Sequence, residues 1–174
     1  MSIAVGAQAP AFALPTTDGG TATPDAPPGG LCVVAFWCNH CPYVQAWEER
    51  FDALARALGE RVSVVAVNAN DGEAYPADDL PAMVARARER DYGFAYAHDA
   101  TQQVARAYGA TRTPEVFVLD PERRVRYHGA IDDSADPDGV RRTWLRDALE
   151  ALLAGGEPAV ADTPPVGCTI KWRR

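Results

Sequence analysis

Two cysteines stand three positions apart in the segment FWCNHCPYV. Cys38 and Cys41 enclose Asn39 and His40, and Pro42 follows directly. Two thiols at this spacing can close a disulfide or bind a metal ion. The chain has four cysteines in 174 residues, whereas a secreted disulfide scaffold is smaller and richer in cysteine. The pair is therefore interpreted as a redox or metal-binding site.

The elements around the pair place it where a strand meets a helix. The run LCVVAFW, from Leu31 to Trp37, is continuously apolar and rich in β-branched residues, which predicts a buried strand. An amphipathic helix that ends at Gly59 is predicted next, because apolar residues recur at spacings of four and three. These residues are Tyr43, Trp47, Phe51, Leu54 and Leu58.

This junction predicts different roles for the two cysteines. Cys38 is expected at the helix N-terminus, where unpaired N–H groups and the helix dipole favour a thiolate. We expect Cys38 to be the exposed attacking thiol, with its pKa lowered further by His40. Cys41 is expected to be the buried thiol that resolves mixed disulfides. If Cys38 is the N-cap, Pro42 removes the first regular hydrogen bond, so the helix is expected to begin distorted or one residue late.

The remaining elements alternate between strands and helices. Asp18-Gly19-Gly20 predicts a hairpin, and VSVVAV predicts a second buried strand. Helices are predicted in DDLPAMVARARERDYG, TQQVARAYG and DGVRRTWLRDALEALLAGG, and a strand pair in TPEVFVLD and VRYHGAI. This order predicts an α/β fold with a mixed central β-sheet flanked by helices on both faces and an N-terminal β-hairpin extension. We expect one domain over residues 1–174, with residues 155–174 forming an irregular C-terminal tail.

Charge and hydropathy narrow the possible partners. The net charge of −7 argues against binding to a nucleic-acid backbone. The longest apolar run is far shorter than a membrane span, and the N-terminus lacks the features of a signal peptide. We therefore expect a cytoplasmic protein with no nucleic-acid partner and no membrane partner.

The motif order resembles the thioredoxin superfamily. FWCNHC is followed by a helix, a strand, further helices and Thr113-Pro114 before an apolar hairpin strand. The opening VGAQAPAFALPTTDGG resembles the redoxin branch, which includes the alkyl hydroperoxide reductase/thiol-specific antioxidant proteins. CNHCPYV, VAVNAND and VGCTIKW together resemble a thioredoxin-like subgroup with a CNHC active-site motif.

The resemblance implies a thioredoxin fold and a second part of the site. It implies that Pro114 is cis and packs against the cysteine pair, and that the backbone of Thr113 pairs with a bound peptide. Trp37 is expected to be a partly exposed platform beside the pair. The dipeptide Asn39-His40 differs from the Gly-Pro of thioredoxin, so the redox properties of the pair are expected to differ.

Cys32 occupies the position of a buried aspartate that assists proton transfer in thioredoxin. It lies on the apolar strand and is interpreted as a small core residue. The proton acceptor for Cys41 therefore stays open, with Asp71 and Glu115 as candidates by chain position alone.

Two alternatives to a thiol-disulfide oxidoreductase stay open. An atypical peroxidase of the peroxiredoxin type would need a threonine three residues before the reactive cysteine and a proline seven before. If Cys38 is the reactive cysteine, those positions hold Ala35 and Leu31. If Cys41 is the reactive cysteine, they hold Cys38 and Val34. Neither cysteine therefore fits the peroxiredoxin pattern. A protein that binds copper or zinc through the pair is the other alternative. The other potential ligands, Cys32, Cys168, His98 and His128, are scattered singly, so we predict no metal site.

We therefore predict a thiol-disulfide oxidoreductase that uses a Cys38–Cys41 dithiol and needs no cofactor. Its expected partners are protein or small-molecule disulfide or thiol substrates and an unidentified electron donor. Cys168 lies in the proline-rich tail and is expected to be a thiol tucked under Trp172. The other interpretation is a third redox thiol that reaches Cys38.

Overall fold

The architecture comes from a computed structural model that describes residues 1–174. Strands and helices follow one another along the chain. The strands are β1 (Leu14–Pro15), β2 (Thr21–Ala22), β3 (Leu31–Phe36), β4 (Val62–Asn68), β5 (Ala95–His98), β6 (Arg112–Thr113), β7 (Glu115–Leu119), β8 (Val125–Gly129) and β9 (Cys168–Thr169). The α-helices are α1 (Pro42–Leu58), α2 (Leu80–Arg90), α3 (Gln103–Tyr108) and α4 (Trp144–Leu153).

The central sheet has five strands in the order β5-β4-β3-β7-β8. β3 lies in the middle, parallel to β4 and antiparallel to β7. The β7–β8 pair is the predicted antiparallel hairpin, and β1 pairs with β2 to form the predicted N-terminal hairpin. The mixed sheet is thus confirmed. None of the helices is long and apolar enough to cross a membrane.

Successive side chains of β3 point to opposite faces of the sheet, and both faces are covered. Val33 and Ala35 belong to the core that contains the apolar faces of α1 and α4. Val34 and Phe36 belong to the core that contains α3 residues and the N-terminal segment. Cys32 shares this second core, and burial raises the pKa of its thiol to about 12, as expected for an inert core cysteine.

The N-cap of helix α1 differs from the one that the sequence analysis considered. Cys41, rather than Cys38, is its N-cap, and Pro42 is its first residue. Proline suits this position because the first N–H of a helix has no intrahelical partner. The side chains of its first turn also differ from the prediction in which of them face the core. Tyr43 is 40% exposed, and Val44 is buried in its place.

Helix α4 begins later than predicted. Residues Pro137–Gly139 form a short 3₁₀ turn instead, in which the Asp136 side chain accepts from the Asp138 N–H. Residues 140–143 are irregular, and the helix starts at Trp144.

The C-terminal tail contains a strand and is anchored, which corrects the expectation of an irregular segment. β9 pairs antiparallel with β6, so Cys168 lies opposite Thr113. Ile170 is buried in the second core. We call residues 163–171 the strap, because they cross from the end of β8 to the edge formed by β6.

The aromatic side chain of Phe117 is expected to be a major source of stability. It lies on strand β7, which pairs with the middle strand β3, and its ring is 5.9 Å from that of Phe36 and 5.4 Å from that of Tyr108. Phe117→Ala should lower the free energy of unfolding by about 3–5 kcal/mol in a urea titration. Val160→Ala, at an exposed position, serves as the control and should change it by less than about 0.5 kcal/mol. A similar small effect for both variants would contradict this packing.

Candidate active site

Cys38 lies in the turn between β3 and α1, and Cys41 lies at the end of this turn. Both cysteines pack against the loop that precedes β7. Cys38 is 1% exposed and Cys41 is 0% exposed. The Cys38 sulfur lies 3.4 Å from the Thr113 hydroxyl, and the Cys41 sulfur lies 3.4 Å from the Thr113 carbonyl oxygen. The predicted pair and the predicted second part of the site therefore meet.

The Thr113–Pro114 peptide bond is cis, as the resemblance implied. Thr113 is buried, and both thiols contact it through its side chain or its carbonyl group. Its backbone pairs with Cys168 of the strap. The edge that the resemblance assigns to a bound peptide is thus occupied by the chain itself.

The carboxylate of Asp78 holds the turn that carries the cysteine pair. Asp78 is fully buried in a 3₁₀ turn just before α2. It accepts a hydrogen bond of 2.6 Å from the Asn39 N–H, one of 2.9 Å from the Asn70 amide, and one from His40. The sequence analysis did not identify this residue. The dipeptide Asp78-Asp79 was a signal, because only Asp79 caps α2 and its neighbour is free for another role.

His40 does not have the predicted effect on Cys38. Its ring bonds to Asp78 and stacks on Tyr75, with 6.1 Å between ring centroids. The hydrogen bond with Cys41, burial and the negative charge of Asp78 all raise the pKa of Cys38. The prediction of an exposed, acidic thiol at Cys38 is therefore wrong.

The arrangement instead stabilises a thiolate on Cys41. The hydrogen bond from the Cys38 thiol is the largest cause that lowers the pKa of Cys41, to about 4. The Cys168 thiol and the Val44 backbone N–H add to this effect, while burial opposes it. Cys41 is also the N-cap of α1, where the helix dipole favours negative charge.

Cys168 lies beside the pair. It contacts Cys41, whereas the alternative prediction had it reach Cys38. Its sulfur lies 2.7 Å from the Cys41 sulfur. Burial and the hydrogen bond with Cys41 raise the pKa of Cys168 to about 11. The expected position under Trp172 is wrong, because Trp172 packs against the second core and under the Arg106 guanidinium.

Neither candidate proton acceptor for Cys41 is directed at it. Asp71 accepts from the Glu73 N–H. Glu115 is buried and accepts from the N–H groups of Thr111 and Arg112, at 2.8 Å and 3.0 Å. Burial raises the pKa of Glu115, but its hydrogen bonds outweigh burial, so the pKa is lowered.

Trp37 is buried within an aromatic cluster rather than exposed as a platform. Its ring centroid lies 4.8 Å from that of Phe51 and 6.0 Å from that of Phe94. Full burial of the indole excludes direct contact with a substrate in this state. Trp37 belongs to the same core as Cys38 and Cys41.

One group of potential metal ligands lies at the site, with donor atoms of Cys38, His40 and Asp78 within 4.8 Å of one another. The His40 Nδ1 and an Asp78 oxygen are bonded to each other, and the other Asp78 oxygen accepts from Asn39. A cation would have to break these bonds. His128, one of the scattered potential ligands, lies outside this group and bonds to Glu115 and Asp162.

Comparison with known proteins shows the family to which the chain belongs. The AhpC/TSA family matches residues 5–128, and the chain therefore belongs to this family. The architecture is the thioredoxin fold. Family, fold and site together define a thiol-based redox protein. No curated protein matches the chain.

Several solved structures are similar to the chain. An uncharacterized conserved protein from Geobacillus kaustophilus is 38% identical with a TM-score of 0.91, over 98% of this chain and 93% of that one. A hypothetical protein from Sinorhizobium meliloti is 39% identical with a TM-score of 0.90, over 99% and 97%. A Chlorobium tepidum protein, provisionally described as the thiol:disulfide interchange protein DsbE, is 26% identical with a TM-score of 0.56, over 73% and 85%.

The ionisation of Cys41 gives a testable pH dependence. The thiolate absorbance of the reduced protein near 240 nm should persist at pH 6 and disappear as the pH falls towards about 4. The same ionisation stabilises the reduced fold fully above the pKa of about 8.5 of an unfolded thiol, and this contribution is lost as the pH falls through the folded pKa.

Matched variants assign this absorbance to one sulfur. Cys41→Ser should remove it, whereas Cys38→Ser, which keeps a hydroxyl donor, and Cys32→Ser should retain it. Loss in Cys38→Ser together with retention in Cys41→Ser would contradict the assignment.

Proposed function

We propose that the protein is a thiol-disulfide oxidoreductase that uses a Cys38–Cys41 dithiol/disulfide couple. The observation that carries the proposal is that the sulfurs of Cys38 and Cys41 both lie 3.4 Å from Thr113, at the cis Thr113–Pro114 loop. The surroundings of Cys41 lower the pKa of its thiol, and a thiolate is the state that attacks a disulfide. The CNHC motif is then the active-site motif of this subgroup.

The reaction uses the two sulfurs in turn. The Cys41 thiolate attacks one sulfur of a substrate disulfide, which releases one substrate thiolate and leaves a mixed disulfide on Cys41. Cys38 then attacks the Cys41 sulfur, forms the Cys38–Cys41 bond and releases the second substrate thiolate. Two electrons pass from the dithiol to the substrate, and the reverse sequence oxidises a substrate dithiol.

The second attack requires Cys38 to lose its proton. The carboxylate of Asp78 and the ring of His40 have atoms within 4.8 Å of the Cys38 sulfur. Asp78 is ionisable, buried and bonded to His40, so the pair can receive a proton and share it. Asp71 and Glu115, the candidates considered as proton acceptors for Cys41, have no part in this step.

The substrates are protein or small-molecule disulfides or thiols. After a substrate disulfide has been reduced, a thiol electron donor reduces the Cys38–Cys41 disulfide back to the dithiol. The backbone edge of Thr113 and the Pro114 ring form the binding surface for an extended peptide. A peptide on this edge has to replace β9, which pairs with Thr113 in the structure. A reducing compartment such as the cytoplasm suits a Cys38–Cys41 couple that is reduced again by thiols.

A thiol-dependent peroxidase is the second candidate, and membership of the AhpC/TSA family favours it. In such an enzyme the Cys41 thiolate would attack a peroxide oxygen. The threonine and proline of the peroxiredoxin pattern are absent at the required positions before both Cys38 and Cys41, which weighs against this candidate.

The Cys168→Ser variant isolates the proposed couple. In graded glutathione buffers it should show one reversible two-electron transition, detected by thiol alkylation and intact mass, and this transition gives the reduction potential. Serine at Cys38 or Cys41 should abolish the Cys38–Cys41 bond and slow the reduction of insulin disulfides by about 100-fold or more. Cys32→Ser is the matched control and should behave as the unsubstituted protein.

Two outcomes would contradict the proposal. One is the absence of a reversible transition in glutathione buffer. The other is rapid turnover of hydrogen peroxide without any reduction of disulfides, which would identify a peroxidase.

A further inference from the structure

The strap is anchored at both ends and crosses the cysteine pair between its anchors. At one end, Thr163 donates its backbone N–H to the His128 carbonyl at 2.9 Å, and its hydroxyl bonds the Ala130 N–H and the Tyr127 hydroxyl. At the other end, the Ile170 N–H donates to the Thr111 carbonyl at 3.0 Å. The residues between Thr163 and Ile170 are therefore held close to the cysteine pair by the anchors at both ends of the strap.

A second set of bonds fixes the register of the strap. The Lys171 N–H donates to the Asn70 side chain, and the Lys171 carbonyl accepts from the Asp71 N–H, each at 2.9 Å. The Gln102 amide donates to the same carbonyl at 2.9 Å. A shift of the strap by one residue would break these contacts and would turn Cys168 away from the pair.

Glycine at position 167 permits the close approach of the strap to the cis loop. A Cβ atom there would lie 2.0 Å from the Thr113 carbonyl oxygen and 3.0 Å from the Pro114 nitrogen. Both atoms are backbone, so neither can move aside cheaply. The Arg112 guanidinium also donates to the Gly167 carbonyl at 3.1 Å.

This approach places the Cys168 sulfur 2.7 Å from the Cys41 sulfur, where the distance in a disulfide is about 2.05 Å. Cys168 is only partly buried, in contrast to Cys38 and Cys41. It occupies the position that a substrate cysteine would take, on a strand paired with Thr113.

We infer that Cys168 is a third redox thiol, which the strap presents to Cys41 so that the disulfide passes from Cys38–Cys41 to Cys41–Cys168. This inference rests on the proposed function, which supplies the first disulfide. The Cys168 thiolate attacks the Cys41 sulfur, the bond between Cys38 and Cys41 breaks, and the bond between Cys41 and Cys168 forms. Cys38 leaves as a thiolate and takes up the proton that Cys168 gives up, so the exchange involves no net oxidation or reduction.

The exchange moves the disulfide from a buried position towards the surface. Neither sulfur of the Cys38–Cys41 bond is open to solvent while the strap is docked. In the Cys41–Cys168 bond, one sulfur belongs to a partly exposed residue. An external thiol can attack there without displacing β9. The hydrogen bond with Cys41 that helps to raise the pKa of Cys168 in the reduced state is also lost once Cys41 is oxidised.

The Cys38→Ser variant tests the contact directly. Treated with oxidised glutathione, it should form a transient adduct on Cys41 that Cys168 resolves, so that intact mass shows a loss of two hydrogens and peptide mapping shows Cys41–Cys168. The Cys38→Ser/Cys168→Ser double variant should instead keep the glutathione adduct on Cys41.

A pair of glycine variants tests whether the docked strap, rather than mere closeness of the two cysteines in the fold, brings Cys168 to Cys41. In the Cys38→Ser background, Gly167→Ala should slow closure of the Cys41–Cys168 bond by about tenfold or more, because it displaces the strap. Gly156→Ala is the matched control, since a Cβ atom there makes only an ordinary contact of 3.4 Å, and closure should be unchanged.

The outcomes separate this inference from the proposed function. If Cys168→Ser forms the Cys38–Cys41 bond while Cys38→Ser keeps its glutathione adduct with or without Cys168, the inference is wrong and the proposed function stands. If neither variant forms an intramolecular disulfide, both are wrong. Equal closure rates in the Gly167→Ala and Gly156→Ala variants would overturn the role of the strap.

Discussion

The buried carboxylate of Glu115 is the interaction on which the arrangement of the site depends. A buried charge is costly unless it is paired, and Glu115 finds its partners in separate parts of the chain. The Ser2 hydroxyl donates to it at 2.7 Å, the loop N–H groups of Thr111 and Arg112 donate to it, and His128 bonds to it at 2.7 Å. One charge therefore fixes the loop before β7, and through that loop the edge on which the strap lies.

The network around Glu115 continues into the C-terminal tail, because His128 bonds Asp162 with its other ring nitrogen. Burial lowers the pKa of His128, but its bonds to the two carboxylates outweigh burial and raise the pKa. Asp78 has the corresponding role on the opposite side of the cysteine pair, where it fixes the turn that carries Cys38. The same buried charge disfavours a second negative charge on Cys38, so one residue sets both geometry and ionisation.

The sequence predicted the parts of this structure that depend on local patterns. The apolar run at β3 and the spacing of apolar residues in α1 depend only on neighbouring residues, and both elements form. The cis bond before Pro114 came from a family resemblance rather than from any local rule. The burial of Cys38 and the partner of Cys168 depend on how distant segments dock, and no periodicity encodes such contacts. His40 was expected to act on Cys38, and only the fold brings Asp78 into contact with its ring.

Docking of the strap and binding of a peptide exclude each other, because both use the backbone edge of Thr113. A peptide substrate therefore has to compete with a segment that is tethered to the site and held by buried Ile170 and by Thr163. A tethered competitor has a high effective concentration, and a freely diffusing peptide meets it at a disadvantage. A small thiol that attacks the inferred Cys41–Cys168 disulfide at partly exposed Cys168 avoids this competition. The structure thus favours small reactants while the strap is docked, and it favours protein substrates only where their binding can replace the contacts of β9.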